Sequence, residues 1–511
     1  MGLSLIGSFR QFNRTFWAAI VTELLHCLAS YTMLSYLIIY LAQDLGFGDV
    51  RASAMYGTML FMGYFLPILI GAMADRYGFK QTMAVSLVII TAGYFLASRV
   101  TAYPSVFAAL LLIALGGAVM KPVIAGTVKA ASTDENRTLG FSIYYMVINV
   151  GSFIAPFLAN AVRTGTGKPA LIFVACGVVE TSALAVTLWM FQNLPVAEEA
   201  RSKSLLTVLN EMVVVLCNLR LFVTALGVAA CYVGVGQEWL GAEAGWGIGL
   251  GWIAANVLLD LPLRARERRL GPQPQLLQPQ RLGDVRLLAF ILIFSGVWAL
   301  YSQIWTNIPL YITSLDPAMK AHIEYFQAVD PIMIVCFQVL IGKWMGKYRP
   351  LPSMVFGILI SAVAVATVHL SVATLGRLFI PEITLGPYDL LGWHIGIHHF
   401  FGGYVGAWAV ALSLVIWAVG EMMFSPRMVE YVSVIAPKDK LALYIGYGFL
   451  PFAIGFGFGP SVGVHLTHFF SERLGHAEWV WYAFGAWAVL IALALWVYDR
   501  VVKSKEPKEN V

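Results

Sequence analysis

Residues 104–128 read PSVFAALLLIALGGAVMKPVIAGTV, a stretch of 25 residues in which Lys121 is the only charged side chain. An α-helix of about 20 mainly apolar residues is long enough to cross the roughly 30 Å hydrocarbon core of a bilayer. We therefore predict that this stretch is a membrane-spanning helix. Thirteen further stretches of the same kind follow when the same criterion is applied along the chain.

The fourteen predicted spans fall into groups of six, two and six. They lie near residues 16–41, 54–74, 80–99, 104–128, 141–162, 170–192, 220–237, 244–261, 286–312, 324–346, 352–375, 403–424, 442–469 and 478–500. We predict an all-α polytopic membrane protein with a six-helix bundle in residues 1–200 and a second six-helix bundle in residues 284–511. Residues 201–283 between them are expected to hold two extra transmembrane helices.

The composition excludes most soluble protein classes. Of the 511 residues, 59% are hydrophobic and 12% are charged, and the mean hydropathy is +0.76, whereas soluble domains carry about 25% charged residues. The net charge of +5 is typical of basic membrane loops, so we expect the lipid bilayer as partner and no nucleic acid. With the N-terminus inside, 25 of the 33 Lys and Arg residues fall on the inner side and 7 outside, which predicts cytoplasmic termini.

The middle region has three recognisable parts. Residues 201–219 mix apolar and polar positions and suit an interfacial amphipathic helix. Four glycines spaced two apart in the second extra helix, from Gly245 to Gly251, predict close helix packing. A cytoplasmic linker is expected around the Pro/Gln-rich residues 272–280. Its basic flanks are Arg264, Arg266, Arg268, Arg269, Arg281 and Arg286.

Ionisable side chains inside the predicted spans are candidates for function, because a charge at bilayer depth costs about 3 kcal/mol on insertion scales. They are Glu23, His26, Lys121, Glu180, Asp330 and Glu421. Glu23 and His26 share a helix face, so they could pass protons, although His26 could equally be a packing residue. Lys121 needs an anion, either a substrate carboxylate or a permanent carboxylate partner that fastens helices together. For Glu180 we expect a structural role.

One motif suggests an enzyme. His394-Ile-Gly-Ile-His398-His399 has the spacing of the histidine boxes of membrane desaturases and hydroxylases. Those enzymes need several such boxes, and the other histidines of this chain form no second one. A metal site is therefore only an alternative, and we expect neither a cofactor nor a bound metal.

Three motifs carry a family resemblance. The loop Gly71-Ala-Met-Ala-Asp75-Arg76-Tyr-Gly78-Phe-Lys80 resembles the G-x-x-x-D-R-x-G-R-R loop of the major facilitator superfamily. Residues 141–156, FSIYYMVINVGSFIAP, resemble the fifth-helix signature of its proton-dependent oligopeptide transporter family, and residues 420–426, GEMMFSP, resemble that family's tenth-helix motif. The six-two-six layout is similar to that of the bacterial members. On these motifs the chain is identified as a divergent member of the family.

The resemblance implies two six-helix bundles that rock around a central cavity and import di- and tripeptides with protons. It implies that Lys121 handles the peptide carboxylate, that Glu421 takes the peptide amino terminus and that Asn149 bonds the peptide backbone. Further residues are expected to bind substrate, namely Tyr31, Trp298, Ser302 and Asp330. Proton coupling is expected at Glu23, His26, Lys121 and Asp330. Conformational gating is expected at Gly71, Asp75, Arg76, Gly78 and Lys80.

The chain departs from the family pattern at several of these positions. In the first helix, His26 occupies the position of the family's second glutamate and Cys27 that of its arginine. Leu34 occupies the position of a further arginine. Ser302 occupies the position of the family's seventh-helix glutamate, and Asp330 that of its eighth-helix asparagine. Because lysine does not reproduce the bidentate carboxylate recognition of arginine, another small substrate, with altered or lost proton coupling, is an alternative. A second alternative is a sensor that binds a ligand without transporting it.

Asp330 could compensate for one of these departures by replacing the missing seventh-helix glutamate as the partner of Lys121. Residues 455–460, GFGFGP, could be a hinge or a close-packing face. The resemblance places the protein in the inner membrane of a bacterium, and we expect a monomer.

Overall fold

The computed structural model describes residues 11–133, 136–192, 223–224, 227–228, 230–231, 234–235, 239–270, 285–315, 317–375, 384–390, 393–396, 405–435 and 447–503. Within this part of the chain, ten helices are long and apolar enough to cross a membrane. Large apolar side chains such as Leu188, Val339 and Leu490 point outward, as lipid-facing residues do. The prediction of an all-helical membrane protein is confirmed.

The first bundle consists of six long helices. They are α1 (Arg14–Ile39), α2 (Asp49–Tyr77), α3 (Phe79–Ala97), α4 (Tyr103–Ala130), α5 (Arg137–Thr166) and α6 (Leu171–Met190). A short π-helical turn, Tyr40–Asp44, continues α1. The ends of these helices differ from the predicted ends by at most five residues.

One further long helix, α7 (Ala242–Leu270), follows in the middle region. It corrects one expectation, because the helix continues nine residues beyond the predicted end at 261 and includes the basic positions up to Arg269. The predicted amphipathic segment 201–219 and the Pro/Gln-rich residues 272–280 lie outside the described residues. Of the four glycines, Gly245 and Gly249 face the preceding segment, toward Val235 and Cys231.

The second bundle has two interrupted and four continuous helices. The elements are α8 (Val285–Trp305), α9 (Asn307–Leu315), α10 (Ile323–Phe326), α11 (Val329–Met345), α12 (Pro350–Leu375), α13 (Val405–Ile435), α14 (Leu450–His468) and α15 (Val480–Lys503). Pro309 and Pro331 lie four residues after Trp305 and Gln327, and proline has no N–H to donate to those carbonyls. The helices therefore break between α8 and α9 and between α10 and α11.

A small β-ribbon joins α12 and α13. Strand β1 (Thr384–Leu390) pairs antiparallel with β2 (Trp393–Gly396), and Leu390 lies opposite Trp393. The segment that carries His394, between two predicted spans, therefore contains strand structure.

The bundles meet along two helix pairs, α2 with α14 and α5 with α11. The glycines of residues 455–460 lie inside the continuous helix α14 and pack closely. A Cβ at Gly455 would lie 2.6 Å from the Ser295 carbonyl oxygen, and one at Gly459 would lie 2.7 Å from the Ala299 Cα atom. Of the two expectations for this stretch, the structure favours the close-packing face, here against α8.

Candidate functional site

Aromatic rings bridge the two bundles where α2 meets α14. Tyr64 of α2 stacks on Phe452 and Phe456 of α14, with ring centroids 5.5 and 5.3 Å apart. Phe452 stacks on Trp298 of α8 at 4.0 Å, and Phe456 lies edge-on to Tyr301 at 5.7 Å. Each such pair contributes about 0.5–1.5 kcal/mol beyond its buried area. These five residues, which we call the ring chain, connect the first bundle with α8.

Lys121 lies at the first-bundle end of the ring chain. Its Nζ atom is 3.9 Å from the centroid of the Tyr64 ring, a cation–π contact. The side chain is half-buried. Among the described residues, no carboxylate oxygen lies within 4 Å of this ammonium group. The expected pair between Lys121 and Asp330 is therefore not formed, and the ammonium group can receive an anion.

Asp330 of α11 and Glu421 of α13 lie near the other end of the ring chain. Their exposed fractions are 3% and 7%, and their carboxyl groups face each other. The Tyr301 hydroxyl donates to Asp330 Oδ2 at 3.0 Å. No described Lys, Arg or His nitrogen lies within 4 Å of either carboxyl group. We call Asp330 and Glu421 the acid pair; because like charges repel, a shared proton or a ligand's ammonium group would stabilise it.

Gly420 sets the position of Glu421. A Cβ atom at this position would meet Ser361 Oγ and lie 2.6 Å from the Gly357 carbonyl oxygen. The backbones of α12 and α13 approach each other here to a distance that only glycine allows. This contact gives a physical reason for the glycine of the Gly-Glu motif.

A second ionisable cluster lies inside the first bundle. His26 Nδ1 on α1 is 2.7 Å from Glu180 Oε1 on α6, and Glu180 has no exposed surface. Glu23 is 1% exposed. It accepts a hydrogen bond from Cys27 Sγ at 3.6 Å and interacts electrostatically with Lys121. Sequence reasoning gave Glu180 no partner, because its partner lies 154 positions away in the chain.

The other residues predicted to bind substrate lie in different environments. The Tyr31 ring lies 5.7 Å from that of Trp305, across the bundle interface. Asn149 is 8% exposed, and its amide donates to a carbonyl of its own helix at 3.0 Å. Ser302 has no exposed surface, and its hydroxyl donates to a carbonyl of its own helix at 2.7 Å. In this conformation Ser302 faces α14 near Gly459 and does not line a space between the bundles.

The histidine motif gains no support as a metal site. Within the described part of the chain, no group of three or more His, Cys, Asp or Glu residues could hold a metal ion. His394 falls in β2, while His398 and His399 lie outside the described residues.

A comparison with known families decides the class of the protein. The family model described as Major Facilitator Superfamily matches residues 20–386, which is well over half of the chain. The chain belongs to the Major Facilitator Superfamily. As a member of this superfamily it is a transporter and not an enzyme, so the membrane-enzyme alternative is set aside.

Similar proteins within the superfamily transport peptides. Dipeptide and tripeptide permease B of Yersinia enterocolitica is 24% identical over 477 residues, which cover 88% of this chain and 86% of that protein. The in meso crystal structure of the POT family transporter PepTSo superposes with a TM-score of 0.71 at 18% identity, covering 96% and 99% of the two chains. A POT family transporter in complex with 5-aminolevulinic acid gives a TM-score of 0.64 at 18% identity, covering 97% and 99%. These likenesses confirm the fold and agree with a divergent member of the oligopeptide transporter family.

In this superfamily transporter, the two bundles are joined at the membrane face opposite the start of α1 and the end of α15, which we call the far face. Arg163, near the end of α5, contacts Glu324 of α10 with Nε–Oε1 2.5 Å and a second bond of 2.8 Å. Asn160 donates to the same carboxylate at 3.1 Å and accepts from the Tyr325 hydroxyl at 3.0 Å. The Glu324 side chain is fully buried. Sequence reasoning missed this pair because both residues fall at the edges of predicted spans.

Two more ion pairs cross between the bundles at the far face. Lys320 Nζ lies 2.6 Å from Asp44 Oδ1, and His468 Nε2 lies 3.9 Å from Asp49 Oδ2. At the opposite face, the described ion pairs stay inside the second bundle. Arg349 pairs with Asp499 at 2.8 Å, and Arg427 pairs with Glu430 at 2.5 Å. Among the described residues, the ion pairs that join the two bundles thus lie at the far face.

The predicted gating loop is described only in part. The side chains of Gly71, Asp75 and Arg76 lie outside the described residues. Gly78 has φ +89° and separates α2 from α3, a conformation that favours glycine. Lys80 Nζ donates to the Leu188 carbonyl oxygen at 2.9 Å. The loop therefore connects to the end of α6, and its gating role stays a prediction.

Proposed function

We propose that this transporter imports di- and tripeptides, or a related small zwitterion, together with protons by alternating access. One observation carries the proposal. An ammonium group, Lys121, and an acid pair, Asp330 and Glu421, lie near opposite ends of the ring chain that bridges the two bundles. A molecule with a carboxylate at one end and an ammonium group at the other would meet opposite charges at both ends.

The charges of the site define what it can hold. A substrate carboxylate would bind Lys121, which has no carboxylate within 4 Å among the described residues. A substrate ammonium group would bind the acid pair, where it would relieve the repulsion between the two carboxyl groups. Between the ends, Tyr64 and Tyr301 offer ring faces and a hydroxyl. The similar transporter crystallised with 5-aminolevulinic acid supports a small zwitterion as substrate.

One substitution favours a substrate other than ordinary peptides. Cys27 stands where the family has an arginine, and a Cβ at Gly151 would lie 2.9 Å from the Cys27 Cβ atom. Helices α1 and α5 are therefore in close contact at this position. Carboxylate recognition then depends on Lys121 alone, which makes a non-peptide zwitterion the second candidate substrate.

The direction of transport follows from the orientation of the chain. With both termini in the cytoplasm, the far face lies outside. A transporter closed at the far face is then in its inward-facing state, the state that releases an imported substrate. We place the protein in the inner membrane of a bacterium as a monomer.

The test is uptake of labelled dialanine into proteoliposomes under an imposed inward proton gradient. We expect accumulation that a protonophore abolishes and that Lys121→Gln and Glu421→Gln each remove. Lys129→Gln is the matched control, because Lys129 lies on the same helix and is exposed. The Lys129→Gln variant should take up dialanine as well as the parent protein does.

Two results would contradict parts of the proposal. Dialanine uptake that Lys121→Gln leaves unchanged would exclude the zwitterion site formed by Lys121 and the acid pair. Absence of dialanine uptake by folded protein, together with uptake of 5-aminolevulinic acid, would favour the second candidate substrate.

A further inference from the structure

A cleft of about 470 Å³ lies on the outer surface of the second bundle, between α12 and α15. Its lining residues come from the first turns of α12, from the residue directly before α12 and from the last turns of α15. The cleft therefore lies at the membrane face where α15 ends, opposite the far face. None of its residues belongs to the ring chain or to the acid pair, so the substrate site does not account for it.

The wall of the cleft is apolar. Val355, Phe356 and Leu359 lie on one face of α12, since helix positions three and four apart are neighbours. Phe356 is 51% exposed and Leu359 is 39% exposed, and Trp496, which lines the cleft from α15, is 48% exposed. Leu359 lies about 14 Å along the helix from Pro350, at about 1.5 Å per residue. Half of a bilayer's hydrocarbon core is about 15 Å thick, so the wall has the depth of one lipid leaflet.

Two arginines lie at the end of the cleft that faces the membrane surface. Arg349 Nη2 donates to Asp499 Oδ1 at 2.8 Å, and the Arg349 side chain is still 47% exposed. The Arg500 guanidinium group lies 5.1 Å from the centroid of the Trp496 ring. Among the described residues, no carboxylate oxygen lies within 4 Å of Arg500. Two guanidinium groups and one carboxylate leave this end of the cleft with one positive charge.

This combination of groups fits one class of ligand. Guanidinium groups bind phosphate through charge-assisted hydrogen bonds, and an apolar wall of leaflet depth fits an acyl chain. A phosphate without a chain would contact only the arginines, and a lipid without net charge would leave the positive charge of the cleft uncompensated. Basic pockets between transmembrane helices are typical sites for anionic lipid headgroups. A negatively charged phospholipid satisfies both parts of the cleft.

We propose that the cleft binds one anionic phospholipid of the surrounding bilayer. Its phosphate contacts Arg500 and the exposed part of Arg349, and one acyl chain lies along Phe356 and Leu359. Arg349 keeps its pair with Asp499, because a guanidinium group has five N–H donors and the described bond uses one of them. The bound lipid connects the start of α12 with the end of α15. The cleft lies outside the substrate site, so the proposal stands whichever zwitterion the protein transports.

The first experiment measures bound lipid by native mass spectrometry of the purified protein in detergent. Phosphatidylglycerol and phosphatidylcholine with the same acyl chains are added in graded amounts. We expect tighter binding of phosphatidylglycerol, and about fivefold weaker binding of it in Arg500→Gln, because one basic residue at an anionic lipid is lost. Arg473→Gln is the matched control, since Arg473 also lies over an aromatic ring, 5.6 Å from that of Phe469, but at the far face. Equal binding of the two lipids by the parent protein, or a loss in Arg500→Gln no greater than in Arg473→Gln, would overturn the proposal.

The second experiment separates a lipid from a free phosphate. Phosphatidylglycerol should raise the melting temperature of the parent protein, whereas glycerol phosphate at the same concentration should leave it unchanged, because it has no acyl chain. Phe356→Ala, which shortens the wall and keeps both arginines, should bind phosphatidylglycerol more weakly. Phe337→Ala, at a similarly exposed position of α11 outside the cleft, should bind it as the parent protein does. Stabilisation by glycerol phosphate, or unchanged lipid binding in Phe356→Ala, would contradict the lipid site.

Discussion

Among individual residues, the acid pair and Lys121 decide how charge is arranged across the interface. Asp330 contacts the Tyr301 hydroxyl and faces Glu421, whereas Lys121 lies on the Tyr64 ring. Asp330 therefore interacts with a like charge on its own bundle and not with the opposite charge on the other. Asp330, at the position where the family has an asparagine, thus places a second carboxyl group beside Glu421 within the second bundle.

Two double-mutant cycles test this arrangement. Asp330→Asn and Glu421→Gln should be strongly non-additive, with a coupling of about 1–3 kcal/mol, because the two carboxyl groups interact directly. Asp330→Asn and Lys121→Gln should add within about 0.5 kcal/mol, because the residues are not in contact. Dialanine affinity and thermal stability of the purified variants provide the measurements. Strong coupling between Asp330 and Lys121 would show that they pair in another state of the cycle.

Among the helices, α14 is shaped by its glycines. Gly455, Gly459 and Gly463 are spaced by four and all face α8, whereas a Cβ at Gly457 would lie 3.0 Å from the Phe61 side chain of α2. One face of the helix thus packs within its bundle, and the opposite face packs across the interface. The same glycines that look like a hinge in the sequence bring two helices into close contact.

We expect Gly459→Ala to destabilise the protein by about 1–3 kcal/mol, the usual cost of overpacking. The added methyl group would lie 2.7 Å from the Ala299 Cα and carbonyl oxygen atoms, which cannot move without shifting α8. Gly247→Ala is the matched control, because no described atom lies within 4 Å of its Cβ position. Thermal unfolding in detergent should show a lower melting temperature for the first variant only; equal melting temperatures would exclude the close-packing role.

Across the whole molecule, the far-face ion pairs hold one conformation. Arg163 and Glu324 are almost fully buried, with side-chain exposures of 11% and 0%. Removing one partner of a buried pair leaves an uncompensated charge and costs about 3–5 kcal/mol. Because this pair joins the two bundles at the far face and separating the bundles there would break it, its loss should destabilise the closed state relative to a far-face-open state.

Glu324→Gln should therefore shift the population toward a conformation open at the far face. Spin labels at the exposed positions Lys168 and Ser314, in a background without exposed cysteine, report the distance between the bundles there. We expect longer distances in Glu324→Gln. Glu430→Gln serves as control, since its pair with Arg427 lies within one bundle and its loss should leave the distance unchanged. An unchanged distance in Glu324→Gln would show that other contacts hold the far face.

The described membrane helices, their order and the superfamily could be predicted from the sequence. The cost of placing a segment in the bilayer depends on that segment's own side chains, so apolar runs revealed the spans of the first bundle to within five residues. Helices α7 and α13 continue nine and eleven residues beyond their predicted ends. Proline likewise acts locally, and Pro309 and Pro331 account for the two helix breaks. The motifs around Lys121, Asn149 and Glu421 pointed to candidate site residues for the same reason, since each motif lies within one helix.

Which of these residues meet could be learned only from the tertiary structure. His26 pairs with Glu180, Lys121 lies on Tyr64, and Arg163 pairs with Glu324. Helices far apart in the chain approach one another through glycine contacts and side-chain packing, and one helix's sequence does not contain its neighbour's surface. Charge pairing in a membrane is therefore a property of the assembled bundles.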